Sequence, residues 1–303
     1  MIVTLENNTF TAQVDSLGAQ LISLRGKDGE KNGDGKEHGR EYIWQRDPSY
    51  WPNCSPLLFP TVGNCRNGKT LIEGEWFEIP KHGFCKVTDF AVEQPAKDRA
   101  VFTICDSEET HKMYPYAFCL SLTYTLQEDG LHMDYLVENL DSKPMSYELG
   151  AHPGFNCPLC VGERFEDYVL EFEKEETAAS IVYDVEHLQF DVGRRKPMLD
   201  HSRILPLHYE LFVDDAIFFD KLESRKVALK NPATGKGLEV DYRDFETVAF
   251  WTAMPSKGPF LCVEPWNGSA IRSDEDDELK NRHFIQTLGA GEKKGYHLGI
   301  RVL

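Results

Sequence analysis

Two adjacent segments near the middle of the chain alternate between apolar and polar residues. Apolar side chains occupy every even position from Phe118 to Leu126 and every odd position from Leu131 to Val137. Alternation with a period of two is typical of a β-strand that buries one face, and the intervening Glu128–Gly130 favours a tight turn. The pattern therefore predicts an antiparallel β-hairpin with one buried and one wetter face.

The rest of the chain is also dominated by short β-like segments. Phe10–Leu24 is a predicted N-terminal hairpin that bends at Gly18. Further strands are predicted at Tyr168–Phe172, Ser180–Tyr183, Ala216–Asp220, Val227–Lys230, Gly237–Tyr242, Thr247–Trp251 and Phe260–Val263. Only Glu108–Met113 and Asp274–Arg282 favour helices. Strands and helices do not alternate, so the sequence predicts an all-β fold, a large antiparallel β-sandwich that forms a single domain over residues 1–303.

Two polar, glycine-rich segments are predicted to carry no chemistry. Gly26–Arg40 consists almost entirely of Gly, Lys, Asp, Glu and Asn, which predicts a mobile surface loop. Gly289–Gly295 suggests a dinucleotide-binding loop, but its glycine spacing differs and no helix follows. We therefore interpret it as the turn before a last strand.

Composition and charge restrict the partners. The chain has 50 acidic and 33 basic residues, a net charge of −17, which would repel a nucleic acid backbone. It has no run of about 18 apolar residues and no signal peptide after Met1, so we expect no membrane partner and a cytoplasmic location. We expect its eight cysteines to be reduced, and we expect no zinc or redox site at Cys157-x-x-Cys160, which lacks a second cysteine pair and a βαβ setting.

Three residues at predicted strand ends are candidates for acid–base chemistry. His152 follows a strand and precedes Pro153, and His82 stands beside a glycine at another strand end. Taken singly, each histidine is more often structural. Glu264 ends an apolar strand and precedes Pro265. Strand ends of a sandwich can converge, and a carboxylate facing an imidazole across a sugar-sized gap forms a general base and a general acid.

A metal centre is the alternative use of these residues. Two histidines and one carboxylate, here His82, His152 and Glu264, are the ligand set of non-haem iron sites. The sequence has no compact His-x-His or His-x-x-x-His pair to anchor an ion. We therefore expect no metal and no other cofactor.

An ordered set of short motifs resembles the aldose 1-epimerase (galactose mutarotase-like) family, in particular its lactose-operon-associated branch. The matching segments are Gly18–Leu24, Glu41–Trp44, Leu58–Gly63, His82–Phe84, Gly150–Phe155 and Val263–Pro265. The resemblance implies a twisted sandwich of antiparallel sheets with an open sugar cleft. It also implies a small-molecule sugar as partner, and interconversion of its α and β anomers without a cofactor.

The resemblance also implies roles for individual residues. His152 matches the general acid that protonates the ring oxygen, and Glu264 matches the base that takes the anomeric hydroxyl proton. His82 matches the histidine that orients the sugar, and Arg66 resembles a sugar-contacting arginine. For His152 to act as an acid at neutral pH its pKa must be raised, and we expect the nearby carboxylate of Glu264 to raise it.

Further positions are assigned on the same basis. Asp215, preferred over Asp214, resembles a hydroxyl-binding aspartate. Trp266 follows Glu-Pro where galactose mutarotases carry a polar residue, and an exposed aromatic ring there would stack on a sugar face or narrow the pocket. Phe84 replaces the second glycine of a His-Gly-Gly motif.

Two alternative functions remain open at the level of the sequence. Lys86, close after His82-Gly83, is the nearest match to a basic residue of a sister branch that acts on hexose 6-phosphates. The other alternative is a non-catalytic carbohydrate-binding or regulatory β-sandwich. The sequence leaves the natural sugar, its phosphorylation and the oligomeric state open.

Overall fold

A computed structural model gives the fold over residues 1–31 and 37–303, apart from the side chains of residues 28–38. The described residues are almost entirely β-structure, and each of the paired strands runs antiparallel to its neighbour. The largest sheet has nine strands. In spatial order they are β16 (Gln189–Pro206), β15 (Val169–Asp184), β18 (Lys226–Lys230), β19 (Gly237–Asp241), β23 (Lys293–Val302), β11 (Gly130–Asn139), β10 (Phe118–Gln127), β9 (Arg99–Cys105) and β8 (Ala91–Ala96).

A six-stranded sheet carries most of the candidate site. Its members are β17 (Ile217–Phe219), β20 (Thr247–Trp251), β21 (Phe260–Asn267), β13 (Leu149–Ala151) and β5 (Leu57–Leu58), with β14 (Gly154–Asn156) also paired to β21. The four-stranded N-terminal sheet contains β1 (Ile2–Glu6), β2 (Phe10–Asp15), β3 (Gln20–Lys31) and β4 (Glu37–Glu41). Two further pairs are β12 (Met145–Tyr147) with β22 (Gln286–Leu288), and β6 (Lys69–Ile72) with β7 (Glu75–Glu78).

Helices are short throughout the described residues. The α-helix α1 (Glu108–His111) is capped by Ser107, whose hydroxyl accepts a hydrogen bond from the Thr110 amide. The 3-10 helices are Arg66–Gly68, Cys85–Val87, Phe165–Asp167, Tyr209–Phe212 and Leu279–Asn281. No helix of the described residues is long and apolar enough to cross a membrane.

The predicted central hairpin is confirmed. Strands β10 and β11 pair from Phe118 opposite Asn139 to Gln127 opposite Gly130. Every even residue of β10 from Phe118 to Leu126 is buried, so the period-two pattern marks the face that meets the core. One hydrophobic cluster includes residues from Val3 to Ile300, which supports the single domain proposed from the sequence.

Three expectations about local structure are wrong. Most of Gly26–Arg40 is not a loop, because β3 and β4 extend through residues 26–31 and 37–40, while residues 32–36 lie outside the described part. Asp274–Arg282 forms only the 3-10 helix Leu279–Asn281 instead of an α-helix. Cys105 and Cys119 are not reduced: they lie directly opposite each other on β9 and β10 and form a disulfide.

Candidate active site

His152 and Glu264 are brought together by the register of the six-stranded sheet. Gly150 of β13 pairs with Trp266 of β21, and Gly154 of β14 pairs with Cys262. Extending this register across the gap between β13 and β14 places His152 opposite Glu264. The His152 Nε2 atom lies 3.1 Å from Glu264 Oε2. No sugar-sized gap separates the two groups, so that part of the prediction is wrong.

Glu264 lies within β21 and does not end a strand. Pro265, which suggested a strand end, continues the strand and pairs with Val248 of β20. The Val263 amide donates to the Pro153 carbonyl, so the nitrogen of Pro265, two residues later, points to the same side. The ladder between β13 and β21 stops there, after Gly150, so the strand loses no ladder hydrogen bond to the proline.

The pair faces a cavity of about 380 Å³. Its lining includes Trp51, Asn64, Lys81, His82, His152, Tyr183, Asp215, Trp251, Glu264 and Trp266. The ring of Trp51 stacks on that of His152 at 4.9 Å between centroids, and Trp251 meets His152 edge-on at 6.0 Å. These two tryptophans fix the plane of the imidazole and exclude water from one side of it.

Burial controls the protonation of the pair. It lowers the pKa of His152 to about 3 and raises the pKa of Glu264 well above its usual range. Both shifts arise because a cavity of low polarity disfavours the charged form of each group. The expectation that Glu264 raises the pKa of His152 is therefore wrong: burial favours the neutral form of both groups, so a proton held by the pair lies on the carboxyl group.

His82 presents one defined ring nitrogen to the cavity. Its Nδ1 atom accepts a hydrogen bond of 3.1 Å from the Gly63 amide, which places the proton of the neutral ring on Nε2. Burial is the largest cause of the strongly lowered pKa of His82, followed by repulsion from His152. The neutral tautomer offers Nε2–H as a donor to a ligand.

The backbone around His82 is shaped by close contacts. His82 and Gly83 both have positive φ, 67° and 70°. A Cβ atom at Gly83 would lie 2.0 Å from the Phe59 carbonyl oxygen. Gly63 also has a positive φ, 65°, and approaches Ala270 so closely that a Cβ atom would lie 2.4 Å from its Cα. Only glycine fits at these two places, which hold His82 against the cavity.

Asp215 lies in the cavity, as predicted from the resemblance, whereas Asp214 is exposed. Burial raises the pKa of Asp215, and this shift is opposed by Lys81 and by a hydrogen bond with the Trp251 side chain. Like His82 and Gly83, Asp215 has a positive φ, 80°. A carboxylate held in this way can accept hydrogen bonds from sugar hydroxyl groups.

Trp266 also lines the cavity but is not exposed. It is 4% exposed and packs against Phe218 at 5.5 Å and His82 at 6.3 Å between ring centroids. The expectation of an exposed stacking ring is wrong, because β21 is buried along its whole length. Its indole Nε1–H is buried and has no hydrogen-bond partner among the described residues.

Arg66 does not reach this cavity. Its guanidinium is held by Asp277 at 3.1 Å, by the side chain of Gln189 at 2.9 Å and by the Glu275 carbonyl at 2.9 Å. It lines a larger open groove of about 1130 Å³ that shares Asn64, Lys81 and Tyr183 with the cavity. The donors of Arg66 are occupied by the 272–277 segment and by Gln189, and its contact with a sugar stays a prediction.

A buried ion pair supports two walls of the cavity and was not found from the sequence. Glu148 Oε1 lies 3.3 Å from Arg282 Nε, and both side chains are almost fully buried. The Glu148 carboxylate accepts hydrogen bonds from the amides of Val62 and Ser269. Val62 and Ser269 directly precede Gly63 and Ala270, which line the cavity, so Glu148 holds both segments in place.

Other lining residues gave no sequence signal of their own. Trp51 and Tyr183 lie in segments without a strand-end histidine or carboxylate, and Lys81 directly precedes His82. Tyr183 does lie in a predicted strand, and its hydroxyl donates to Asn64 Oδ1 at 3.0 Å. The iron ligand set that was considered as an alternative differs from the arrangement in the structure: within the described residues, the metal-compatible cluster at this site contains Cys262 in place of His82.

Comparisons with known proteins agree with this geometry. The aldose 1-epimerase family model matches residues 1–298. Protein LacX of Lactococcus lactis subsp. lactis is 37% identical over 308 residues, which cover 99% of each chain. A galactose mutarotase related enzyme from Lactobacillus acidophilus is 28% identical, with a TM-score of 0.91 over 100% of this chain and 97% of that chain.

A second solved structure gives the same result. A galactose mutarotase-like protein from Lactobacillus casei is 28% identical, with a TM-score of 0.89 over 100% of both chains. These likenesses confirm the predicted galactose mutarotase-like β-sandwich. Because the family model spans almost the whole sequence and LacX aligns along its full length, the chain belongs to the aldose 1-epimerase family, where it is similar to the LacX proteins.

Proposed function

We propose that the protein is an aldose 1-epimerase that interconverts the α and β anomers of an aldohexose or a related sugar. The observation that carries the proposal is the contact of 3.1 Å between His152 and Glu264 at a cavity of about 380 Å³. The two oxygens that exchange protons in mutarotation, O1 and the ring oxygen, are bonded to the same carbon. Because His152 Nε2 and Glu264 Oε2 also lie close together, one of them can reach O1 while the other reaches the ring oxygen.

The reaction requires only the transfer of protons between the sugar and this pair. One group removes the O1 proton while the other protonates the ring oxygen. The bond between C1 and the ring oxygen then breaks, and C1 and O1 form the carbonyl group of the open-chain aldehyde. Rotation about the bond between C1 and C2 followed by reclosure gives the other anomer. Together, His152 and Glu264 hold one proton before and after the reaction, whichever anomer is the substrate.

The pair can provide both roles because it holds one proton. With the proton on His152, Glu264 is the base and His152 the acid, the roles implied by the family resemblance. In the sugar-free cavity burial favours the proton on Glu264. We propose that the proton moves to His152 when sugar hydroxyl groups enter and solvate the carboxylate, since hydrogen bonds to a charged group favour its charged form.

Three further residues are proposed to hold the sugar. His82 offers its Nε2–H, Trp266 its unpartnered indole N–H, and Asp215 a carboxylate acceptor. Buried polar groups that lack partners favour a ligand that supplies them. A hexose, which carries hydroxyl groups on most of its carbons, can satisfy all three.

The experiment is to follow anomer exchange by NMR with purified protein and a panel of free aldoses. We expect exchange well above the spontaneous rate for at least one sugar. A non-catalytic carbohydrate-binding sandwich would bind sugars without accelerating exchange, and that result would contradict the proposal.

A second candidate, mutarotation of hexose phosphates, is favoured by two lysines at the cavity. Lys86 Nζ donates to the Lys81 carbonyl at 2.6 Å, and neither lysine has an ion-pair partner in the described part of the chain. Burial and repulsion from Lys81 lower the pKa of Lys86. Two unpaired cations beside a cavity are unusual in a chain of net charge −17, and a phosphate group would neutralise them.

The panel should therefore include the 6-phosphates of the same sugars. If a phosphate binds at the lysines, Lys86→Met raises the KM for the phosphorylated sugar by roughly tenfold and leaves the KM for the free sugar unchanged. Lys112→Met, outside the cavity, is the matched control. An equal effect of Lys86→Met on both sugars would exclude a phosphate site at this position.

A further inference from the structure

Cys262 is buried on β21 beside the acid–base pair and has no part in the proposed proton transfer. Its Sγ atom, a ring nitrogen of His152 and a carboxylate oxygen of Glu264 all lie within 4.8 Å of one another, and all three residues are buried. Cys262 and Glu264 are two positions apart on β21, so their side chains project from the same face. His152 reaches them across the gap between β13 and β14. The cluster is thus a fixed consequence of the register of three strands.

The three donors are those that zinc prefers. A thiolate, an imidazole and a carboxylate bind Zn²⁺ at about 2.0–2.3 Å. Ligand atoms of such a tetrahedral site lie roughly 3.3–3.8 Å apart, as these bond lengths require. The His152 to Glu264 contact of 3.1 Å is already close to this spacing, and the sulfur lies within 4.8 Å of both groups. Side-chain rotations that move the ligand atoms by about 1 Å would bring them to the spacing of a tetrahedral zinc site.

The donor set also selects against the commoner divalent cations. Magnesium and calcium take oxygen ligands, whereas two of these three donors are nitrogen and sulfur. A dication between one thiolate and one carboxylate would be neutralised, which a buried site requires. The three protein ligands leave the fourth position of a tetrahedron open.

We propose that His152, Cys262 and Glu264 form an inhibitory zinc site at the acid–base pair. The metal would bind to the two atoms that transfer protons. The protein therefore could not catalyse anomer exchange while zinc is bound. The proposed reaction itself requires no metal, because the acid–base pair acts without an ion. Bound zinc would inhibit the reaction. The binding part of the inference stands without the proposed function, and the inhibition part rests on it.

Binding is tested with metal-free protein and Zn²⁺ alone, by calorimetric titration. We expect one site in the wild type and a loss of affinity of at least tenfold in Cys262→Ser. Cys157→Ser, which changes another buried thiol that does not belong to the cluster, should bind zinc as the wild type does. Equal zinc affinity in Cys262→Ser and wild type would overturn the proposal.

Cobalt provides a second readout that reports the sulfur directly. Co²⁺ added to the wild type should give the charge-transfer absorption of a thiolate ligand, and this absorption should persist in Cys157→Ser and disappear in Cys262→Ser. If Cys262→Ser fails to fold, Glu264→Gln decides instead: it should keep the thiolate absorption but bind Co²⁺ more weakly. A wild-type complex without thiolate absorption would contradict the site.

Inhibition is measured on anomer exchange. Zinc should abolish wild-type exchange, a chelator should restore it, and Cys262→Ser should keep its activity and require at least tenfold more zinc for inhibition. A protein that binds zinc through Cys262 but shows no exchange without metal would refute the proposed function and leave the zinc site standing. Zinc inhibition of equal strength in Cys262→Ser would refute the site and leave the function standing.

Discussion

His152 Nε2 and Glu264 Oε2 lie 3.1 Å apart because the two residues face each other across neighbouring strands in one continuous register. Residues directly opposite on antiparallel strands have Cβ atoms about 5 Å apart, which is close enough for side chains of this length to meet. The chain leaves β13 at Ala151 and enters β14 at Gly154, so only two residues lie between these two strands. The acid–base pair is therefore positioned by the sheet and not by a flexible loop.

The pH dependence of turnover should reflect a pair that works with one proton. A second proton enters only at low pH, because burial lowers the pKa of His152 to about 3, and the single proton is lost above the pKa of Glu264, which burial raises. We expect a bell-shaped profile of kcat/KM that falls below about pH 3 to 4 and above the raised value for the carboxyl group. An acid limb near pH 6.5, the value of an exposed histidine, would show that His152 is not buried as described.

Trp266 should contribute to both stability and sugar binding, and two substitutions separate these effects. Trp266→Ala removes a side chain that is 4% exposed, and should lower the free energy of unfolding by about 3–5 kcal/mol. Trp266→Phe keeps most of the packing but removes the unpartnered N–H, so it should raise KM with a much smaller loss of stability. Chemical denaturation and steady-state kinetics measure the two quantities. An unchanged KM in Trp266→Phe would mean that the indole N–H does not contact the sugar.

Glu148→Gln should be strongly destabilising although Glu148 lies outside the cavity. The change leaves the buried Arg282 guanidinium without its counter-charge, which typically costs about 3–5 kcal/mol. The double variant Glu148→Gln/Arg282→Met should lose less than the sum of the single losses, since it also removes the unpaired charge. Urea denaturation of the four proteins of this cycle gives the coupling energy. Additive losses would show that the two side chains do not act as a pair.

Activity should not depend on an added metal or nucleotide, because the proposed reaction uses only the protons of the pair. We expect metal-free protein to be fully active and a chelator to leave its rate unchanged. The measurement is anomer exchange before and after dialysis against the chelator. A reproducible loss of activity that returns only on addition of a metal would contradict the proposed mechanism.

The residue types of the proposed catalytic pair could be predicted from the sequence, but their electrostatics could not. The segment from Gly150 to Gly154 identifies a histidine at a strand end, and the structure places it there. Glu264 was expected at a strand end because a proline usually stops a strand. Here the strand continues through Pro265, because the hydrogen-bond ladder with β13 ends before the proline and no ladder bond is lost. The pKa shifts depend on burial by tryptophans that are distant in sequence, such as Trp51, and no local pattern reports them.

Side-chain direction is the other limit of sequence reasoning. The motif position of Arg66 was predicted correctly as the segment before a strand, yet its guanidinium turns to the acidic 272–277 segment and away from the cavity. Asp215 lies at the cavity whereas Asp214 is exposed, and a contact of Asp215 with a sugar hydroxyl stays a prediction. The cross-strand partner of Cys105 depends on register, which alternation within one strand does not specify, and the partner of Glu148 depends on the packing of a segment distant in sequence.

The most direct test of the account is anomer exchange, followed by NMR, in the wild type, Glu264→Gln and His152→Asn. We predict that the wild type accelerates exchange and that each substitution lowers kcat by roughly 10²- to 10⁴-fold, the usual effect of one positioned proton-transfer group. The double variant should lose much less than the product of the single losses, because the two groups act as a unit. Circular dichroism should show that all three variants remain folded. A wild type without accelerated exchange, or exchange that persists undiminished in Glu264→Gln, would contradict the assignment of the pair.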